Sequence, residues 1–407
     1  MNSLKFSFSA SKFAAGAVFS LAACASANAQ PSPVSFGHAQ AVEATSYGIE
    51  LACTDSRDPG VIVNQARDYF ASKGIPASWL QVGMRPGAHT TTIRLDPQMA
   101  LTDTLGISRA PRFGVSADLV ELLDPRRVAR QVPTVSQKEI LLALLHPGRL
   151  TRYEGAECGL QALKDDVGVR QTTVAWAQTL NFGWPDGGPA KWNEKYWLKG
   201  TPVQGADLHE ALTDTVINPS EYSIGCYTAA KIVLAAATLD YYTRVKQSPV
   251  QAEKVRAALN SDGDPLVDLE PGVFWEFEPT YVEAEAKDIP GKTLDIKRDV
   301  APGNFVPGDW FYLLNADPVS REKTGYEGSN AIYLGMDRFT DYYNDHEHSF
   351  NYKQKVHEVF QWRNGVFSRS RDADKVVPLT DDDYMRLSKT PQENGLLPAM
   401  RLVPRPF

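Results

Sequence analysis

The stretch from Asn218 to Lys246 constrains this chain more than any other. Its first residues are polar and turn-forming, among them Pro219, Ser220 and Gly225. At Cys226 it turns into about twenty good helix formers, where Ile232, Val233, Ala236, Ala237 and Leu239 make a broad apolar surface. A helix of that kind is mostly buried, so the remaining chain must wrap it. Cys226 falls at its N-terminus, where unpaired backbone N–H groups and the positive end of the helix dipole favour thiolate over thiol. Gly225 before it leaves room for a substrate or a second backbone. A nucleophilic cysteine is prepared in this way; the competing reading is a small inert core residue.

The first thirty residues decide between these readings through the redox compartment. Lys5 and Lys12 precede an apolar run from Phe13 to Ala23, and small residues lead to Ala27-Asn28-Ala29, the pattern of an export signal over residues 1–29. The run is too short for a permanent membrane span. Leu21-Ala22-Ala23-Cys24 also resembles a lipobox, so acylation at Cys24 stands beside simple secretion as a processing route. Loss of the leader takes the net charge from -7 to about -9. With no basic cluster, that charge gives no support to nucleic-acid binding. Cys53, Cys158 and Cys226 then remain, and an odd count in an oxidising compartment leaves one thiol over. A Cys53–Cys158 disulfide with Cys226 free is the natural split. Exported proteins seldom keep a free thiol without chemical reason, which favours a reactive Cys226.

At 407 residues the chain is long enough for two domains. After a polar lead-in over 30–45, strand and helix patterns alternate. Tyr47–Cys53 is a strand, Asp58-Pro59 opens a helix to about Ser72, Trp79–Met84 and Thr90–Leu95 are strands, and Ser136 with Glu139 caps a helix to His146. These make a small α/β accessory domain, 46–150. Cys158–Leu180 and Asp207–Val216 are helices, separated by a region rich in Trp184, Trp192, Tyr196 and Trp197. From Gly272 strands dominate: Val273–Phe277, the apolar run after Phe305-Val306-Pro307-Gly308-Asp309, Asn330–Gly335, Arg338–Tyr343, Lys355–Trp362 and, after an Asn364-Gly365 hairpin, Val366–Ser370. Helices, cysteine helix, then antiparallel sheet is an α+β order, with residues 151–407 as its domain.

A thiolate needs a proton shuttle and a group to orient it. Of seven histidines, His346, His348 and His357 lie in the strand-rich half. His346 and His348 face the same way in an extended segment, beside Asp345 and Glu347. A metal pair there lacks a third ligand at a recognisable spacing.

Three blocks carry a resemblance. They are Asn218 through Ala229 (Asn-x-x-x-Tyr-x-x-x-Cys-x-Thr-Ala), Phe305-Val306-Pro307-Gly308-Asp309 with its apolar strand and Asn315, and Gly328-Ser329-Asn330 with the strand to Gly335. Asn193–Trp197 is a weaker fourth. In order and spacing they resemble the spore-coat type of bacterial transglutaminase, a small papain-like enzyme related to cell-wall Cys-His endopeptidases, over roughly 158–343. The resemblance implies a papain-like core in which the nucleophile helix packs on an antiparallel sheet. It places Cys226 on the family nucleophile and implies no metal or other cofactor. Gly225 and Ser329 stand where the family has glutamates, and Glu327, about 7 Å back along an extended strand, is positioned to take over the carboxylate role. Ungapped, Tyr342 falls on the family histidine; with a hairpin about four residues longer, His346 becomes the base and His348 the next in line.

The implied chemistry is attack of Cys226 on a glutamine carboxamide, departure of ammonia, and resolution of the thioester by an amine such as lysine. Trp192, Trp197 and Trp310 are candidates for the walls that exclude water. Two further readings stand beside it: an exported cysteine amidase or peptidase in which water resolves the thioester, and an inactive envelope-binding protein.

Overall fold

The computed structural model describes residues 47–54, 59–85, 89–123, 126, 128–198, 200–261, 293–344, 349–367, 372–404 and 406–407. In chain order come β1 (Gly48–Ala52), α1 (Pro59–Ser72), β2 (Leu80–Arg85), β3 (Thr90–Leu95), β4 (Asp118–Leu123), β5 (Ala129–Thr134), α2 (Gln137–Leu145) and β6 (Leu150–Glu154). Then follow α3 (Leu160–Thr179), β7 (Trp197–Leu198), β8 (Thr201–Pro202), α4 (Leu208–Ile217), α5 (Cys226–Asp240) and α6 (Pro249–Ser261). The last part holds β9 (Leu294–Arg298), β10 (Trp310–Leu314), β11 (Gly328–Gly335), β12 (Arg338–Thr340), β13 (Ser349–Phe350), α7 (Tyr352–Gln361), α8 (Asp381–Leu387) and β14 (Met400–Pro404).

One sheet runs β2-β3-β1-β6, with β1 antiparallel to β3 and parallel to β6. Leu150–Glu154, at the proposed domain boundary, thus enters as an edge strand of this sheet. Cys158, just after it, is bonded to Cys53, just after β1. The second sheet runs β13-β12-β11-β10-β14-β9, all antiparallel. Its two central strands are buried on both faces and sort their side chains by alternation. Trp310, Ile332 and Leu334 join the core that contains α3 and α5, whereas Phe311, Leu313, Ala331 and Tyr333 join a second core with Tyr352, Val356 and Val359 of α7.

The apolar surface read on the Cys226 helix is wider than a stripe. From Thr228 to Asp240 every residue of α5 is buried, because α3, α4, α6 and β11 all pack on it. The first core is continuous from Ile49 and Leu51 of β1 through Val167 and Val174 of α3 to Val233 and Leu239 of α5.

Two expectations for the last part change. Lys355–Trp362 is not a strand: Tyr352, Val356 and Val359 are spaced for a helix, and Asn351 and Gln354 form a reciprocal capping box at its start. Gly365, at φ 73°, ends the turn after that helix rather than joining a hairpin. The strand expected at Val273–Phe277 and the cap at Asp58 lie outside the described residues.

The Ser136–Glu139 cap is half formed. Ser136 Oγ accepts from the Glu139 N–H at 3.1 Å, while the buried Glu139 carboxylate accepts instead from Met336 N–H at 2.8 Å, across at the β11–β12 turn. Burial pushes its carboxyl up to about 7, against smaller opposing effects of the Met336 N–H and Arg338. A carboxyl raised on folding stabilises the fold at low pH and withdraws that stability as pH climbs from about 4.3 to the folded value, here on the order of 3 kcal/mol. Glu139→Gln, which keeps the acceptor for Met336, should therefore raise the urea midpoint over wild type at pH 8 and leave it nearly unchanged at pH 4. Equal midpoints at pH 8 would show that Glu139 folds as a carboxylate at no cost.

Candidate active site

Asp214 on α4 fixes the approach to Cys226. Its carboxylate accepts from Asn218 Nδ2 at 2.5 Å, Tyr222 OH at 2.7 Å and Asn193 Nδ2 at 2.7 Å. The Asn and Tyr spaced four apart in the first block, and the Asn of the fourth, are thus ligands of one buried carboxylate. Ser223 and Tyr222 are also tied to 183–191 by backbone bonds, and Phe182 N–H donates to Tyr342 O at 2.8 Å. The turn before Cys226 and the segment after β12 are held together by this strap. Gly225 adopts φ -74° and ψ 162°, open to any residue, and a Cβ built there meets nothing within 4 Å. Its role is to leave space, with no demand from the backbone.

Cys226 begins α5, is partly exposed and carries the free thiol. Across from it on β11, Asn330 Nδ2 donates to Cys226 Sγ at 3.6 Å, while Asn330 Oδ1 accepts from Trp310 Nε1 at 3.0 Å. Trp310 is buried, with its ring edge-on to Tyr227 at 5.5 Å. A fixed amide therefore holds the sulfur.

Glycine and aspartate of the other blocks have equally local reasons. A Cβ on Gly328 would lie 2.1 Å from the Tyr312 ring. Asp309 is buried beneath Arg149 and Arg170: Arg149 Nη2 makes a very short contact to it, and Arg170 Nη1 donates to it at 2.9 Å. Burial alone would raise the Asp309 carboxyl, and the two guanidinium groups outweigh it and hold it below the usual range. Arg170 also donates to Asp166 at 3.0 Å, so the cluster joins α3 to the start of β10.

A small cavity of about 30 Å³, room for about one water, opens beside the sulfur. Trp184, Tyr326, Tyr343 and Trp362 form its aromatic side, and Ser329, Asn330, Asp341, Tyr342, Lys355 and Glu358 its polar side. Trp184 stands edge-on to Tyr343 at 5.1 Å and to Tyr326 at 6.1 Å. Trp192 and Trp197 lie tilted against each other at 5.5 Å, with Trp192 edge-on to Tyr222, and Trp310 orients Asn330. Of the aromatics named from the sequence, Trp184 lines the cavity, whereas Trp192, Trp197 and Trp310, the candidates for water-excluding walls, do not.

Burial pushes the Cys226 thiol up, against the opposing pull of the Asn330 N–H groups and Lys355, with Glu327 adding to the rise. Glu327 is exposed, and its carboxylate accepts from Gly325 N–H at 3.0 Å; Ser329 is the buried residue of the pair, at the cavity wall. Tyr342, the ungapped counterpart of the histidine, lines the cavity. Its hydroxyl is pushed well up by burial, then by Cys226 and Asp341. His346 and His348 lie outside the described residues. His357, on α7, contacts Gln361 through Nε2 at 3.1 Å, and His209 contacts Asp240 at 3.1 Å.

The profile of the protein-glutamine gamma-glutamyltransferase family matches residues 128–355, more than half of the chain and all of the cavity's β11, β12 and α5 residues. The chain belongs to the transglutaminase family. Its activity is accordingly transfer of the γ-glutamyl group of a protein glutamine, and its substrates are proteins. Of the three readings taken from the sequence, membership favours transfer over the hydrolase and the inactive binding protein. A solved structure, the transglutaminase from Geobacillus stearothermophilus without its C-terminal extension, is similar over 60% of this chain and 91% of its own, at 15% identity and a TM-score of 0.33. No curated protein matches the chain. As a transglutaminase, it has its cysteine candidate near the middle of the matched region and Lys355 at its end.

Proposed function

We propose that this transglutaminase works through Cys226 in a papain-like core, with residues 151–407 as the catalytic portion and 46–150 as an accessory one. The observation that carries the reading is the free thiol at the start of a buried helix, held by Asn330 beside a cavity with aromatic walls. The sulfur, once deprotonated, adds to the γ-carbonyl of a glutamine. Backbone N–H groups at the head of α5 are placed to receive the oxyanion. The C–N bond then breaks, the nitrogen leaves as ammonia with a proton from His346 or His348, and a thioester remains on Cys226. A primary amine such as a lysine side chain attacks it, restoring the thiol and forming the isopeptide bond. Trp184, Tyr326, Tyr343 and Trp362 would keep water from the thioester, and Glu327 stands at the rim as the carboxylate candidate.

The same reading includes export. A leader over 1–29, followed by secretion or by acylation at Cys24, places the protein outside the cytoplasm, in the periplasm, in the medium or as an outer-membrane lipoprotein. The Cys53–Cys158 disulfide is compatible with this. Among the described residues no helix is long and apolar enough to cross a membrane.

The test is incorporation of a labelled primary amine into a glutamine-containing protein before and after complete alkylation with iodoacetamide. Because burial raises the thiol, the rate of alkylation should pass its half-maximum above about pH 8.5, the midpoint of an ordinary thiol. Incorporation should stop in proportion to Cys226 modified. Incorporation that survives full alkylation would remove cysteine from the mechanism.

A further inference from the structure

The group across the cavity from Cys226 that the mechanism above leaves unused is a lysine. Lys355 lies on the first turns of α7, is buried, and lines the same cavity as the sulfur. Its ammonium donates to Glu358 Oε2 at 2.9 Å and sits over the Phe350 ring at 4.5 Å. Among the described residues it is the cation that lines this cavity. Among the described residues, the charged and titratable groups that line the space with Cys226 are Tyr326, Asp341, Tyr342, Tyr343, Lys355 and Glu358, and the exposed Glu327 also acts on the sulfur.

A buried ammonium is costly unless its charge is answered, and a lysine on α7 is long enough to reach water elsewhere. Its retention at the reacting sulfur asks for a reason. Tyr342, which occupies the ungapped position of the expected histidine, has no cationic form. Among the described residues that line the cavity, Lys355 is the cation available to a sulfur that becomes negative there.

We propose that Lys355 supplies positive charge to the Cys226 thiolate across the cavity, as its counter-ion, with Glu358 setting how much of that charge the sulfur feels. The inference rests on Cys226 being the nucleophile. Burial works against the Lys355 ammonium, and Glu358 and Asp341 outweigh it and hold its pKa above the ordinary lysine value. It therefore stays charged at every pH where the enzyme would work, and acts as a fixed field rather than as a proton shuttle. Glu358 draws that field away from the sulfur; a neutral side chain in its place releases it.

The experiment follows the rate of Cys226 alkylation by iodoacetamide between about pH 6 and 10 in the full-length mature protein, with the amount of folded protein checked by circular dichroism. Lys355→Met should slow alkylation at pH 7 about tenfold and move the rising limb to higher pH, with the limiting alkaline rate unchanged. Lys355→Arg should restore most of the rate. Glu358→Gln should act in the opposite direction and quicken alkylation at pH 7. A folded Lys355→Met with the wild-type profile overturns the proposal, as does a Glu358→Gln profile that shifts in the same direction as that of Lys355→Met. If Lys355→Met does not fold, Glu358→Gln decides alone: alkylation no faster than wild type overturns it. Since alkylation reads the thiol without any transfer reaction, failure here is distinguishable from failure of the nucleophile assignment, which would appear as amine incorporation in a protein whose Cys226 is blocked.

Discussion

Cys226→Ala should abolish amine incorporation, a loss of at least about 10⁴-fold, while leaving the protein folded. The size of the effect follows from what the residue does: without the sulfur no thioester forms, and the remaining N–H groups and aromatic walls bind a substrate they cannot cleave. Stability should hardly change. Cys226 is partly exposed, alanine is a better helix former at that position, and the side-chain bond lost among the described residues is the long one from Asn330. A labelled-amine assay beside a urea titration separates the two quantities. Residual transfer within tenfold of wild type would place the chemistry elsewhere.

The largest effect on stability is expected at Asp309. It is fully buried and answers both Arg149 and Arg170, which are themselves almost wholly inaccessible. Removing the carboxylate leaves guanidinium charge without its counter-ion in the interior, which costs about 3–5 kcal/mol. That is a large share of a typical net stability of about 5–15 kcal/mol. Arg170 keeps Asp166 and Arg149 keeps Asn304, so the protein should fold, with a urea midpoint lower by roughly 1 M or more for Asp309→Ala. The site should suffer as well, because Asp309 sits directly before Trp310, whose indole fixes Asn330. An unchanged midpoint would mean that the cluster is neutral overall and that the arginines find water instead.

The parts of the structure legible in the sequence are those set by local rules. Tyr47–Cys53 and Asn330–Gly335 alternate or run apolar over the length of a strand, and β1 and β11 lie there. The Cys53–Cys158 bridge followed from counting thiols in an oxidising compartment, and the two half-cystines lie at the ends of β1 and β6, which pair side by side. The α7 helix was obscured by Val356, Val359, Phe360 and Trp362, a density of β-branched and aromatic residues that favours a strand; the capping pair Asn351 and Gln354 was the signal that pointed the other way. Strands β9 and β14 pair across about a hundred residues, a register that no local pattern encodes.

At the site, what escaped the sequence was tertiary in origin. The helix position of Cys226 favours thiolate, and burial, which no local pattern encodes, pushes its thiol the other way. Trp184 and Tyr326 look no different in sequence from Trp192 and Trp197. Which pair faces Cys226 is decided by the strap through Phe182 and Gly183 that ties the turn before the sulfur to Tyr342 and Asn344. Lys355 was read as part of a strand, and only the helix brings it to the cavity. Asn218 and Tyr222, by contrast, were visible as a spaced motif, and their common partner Asp214 shows why the spacing is four.

The most direct measurement is the mass of the enzyme itself. Mature protein is mixed with a small glutamine donor peptide in the absence of amine, quenched in acid within seconds and digested. The peptide that contains Cys226 should carry the donor's mass less that of one ammonia, and the adduct should vanish when a primary amine is added before quenching. Amine transfer that proceeds with no adduct on Cys226, or with the adduct on a different residue, would contradict the account.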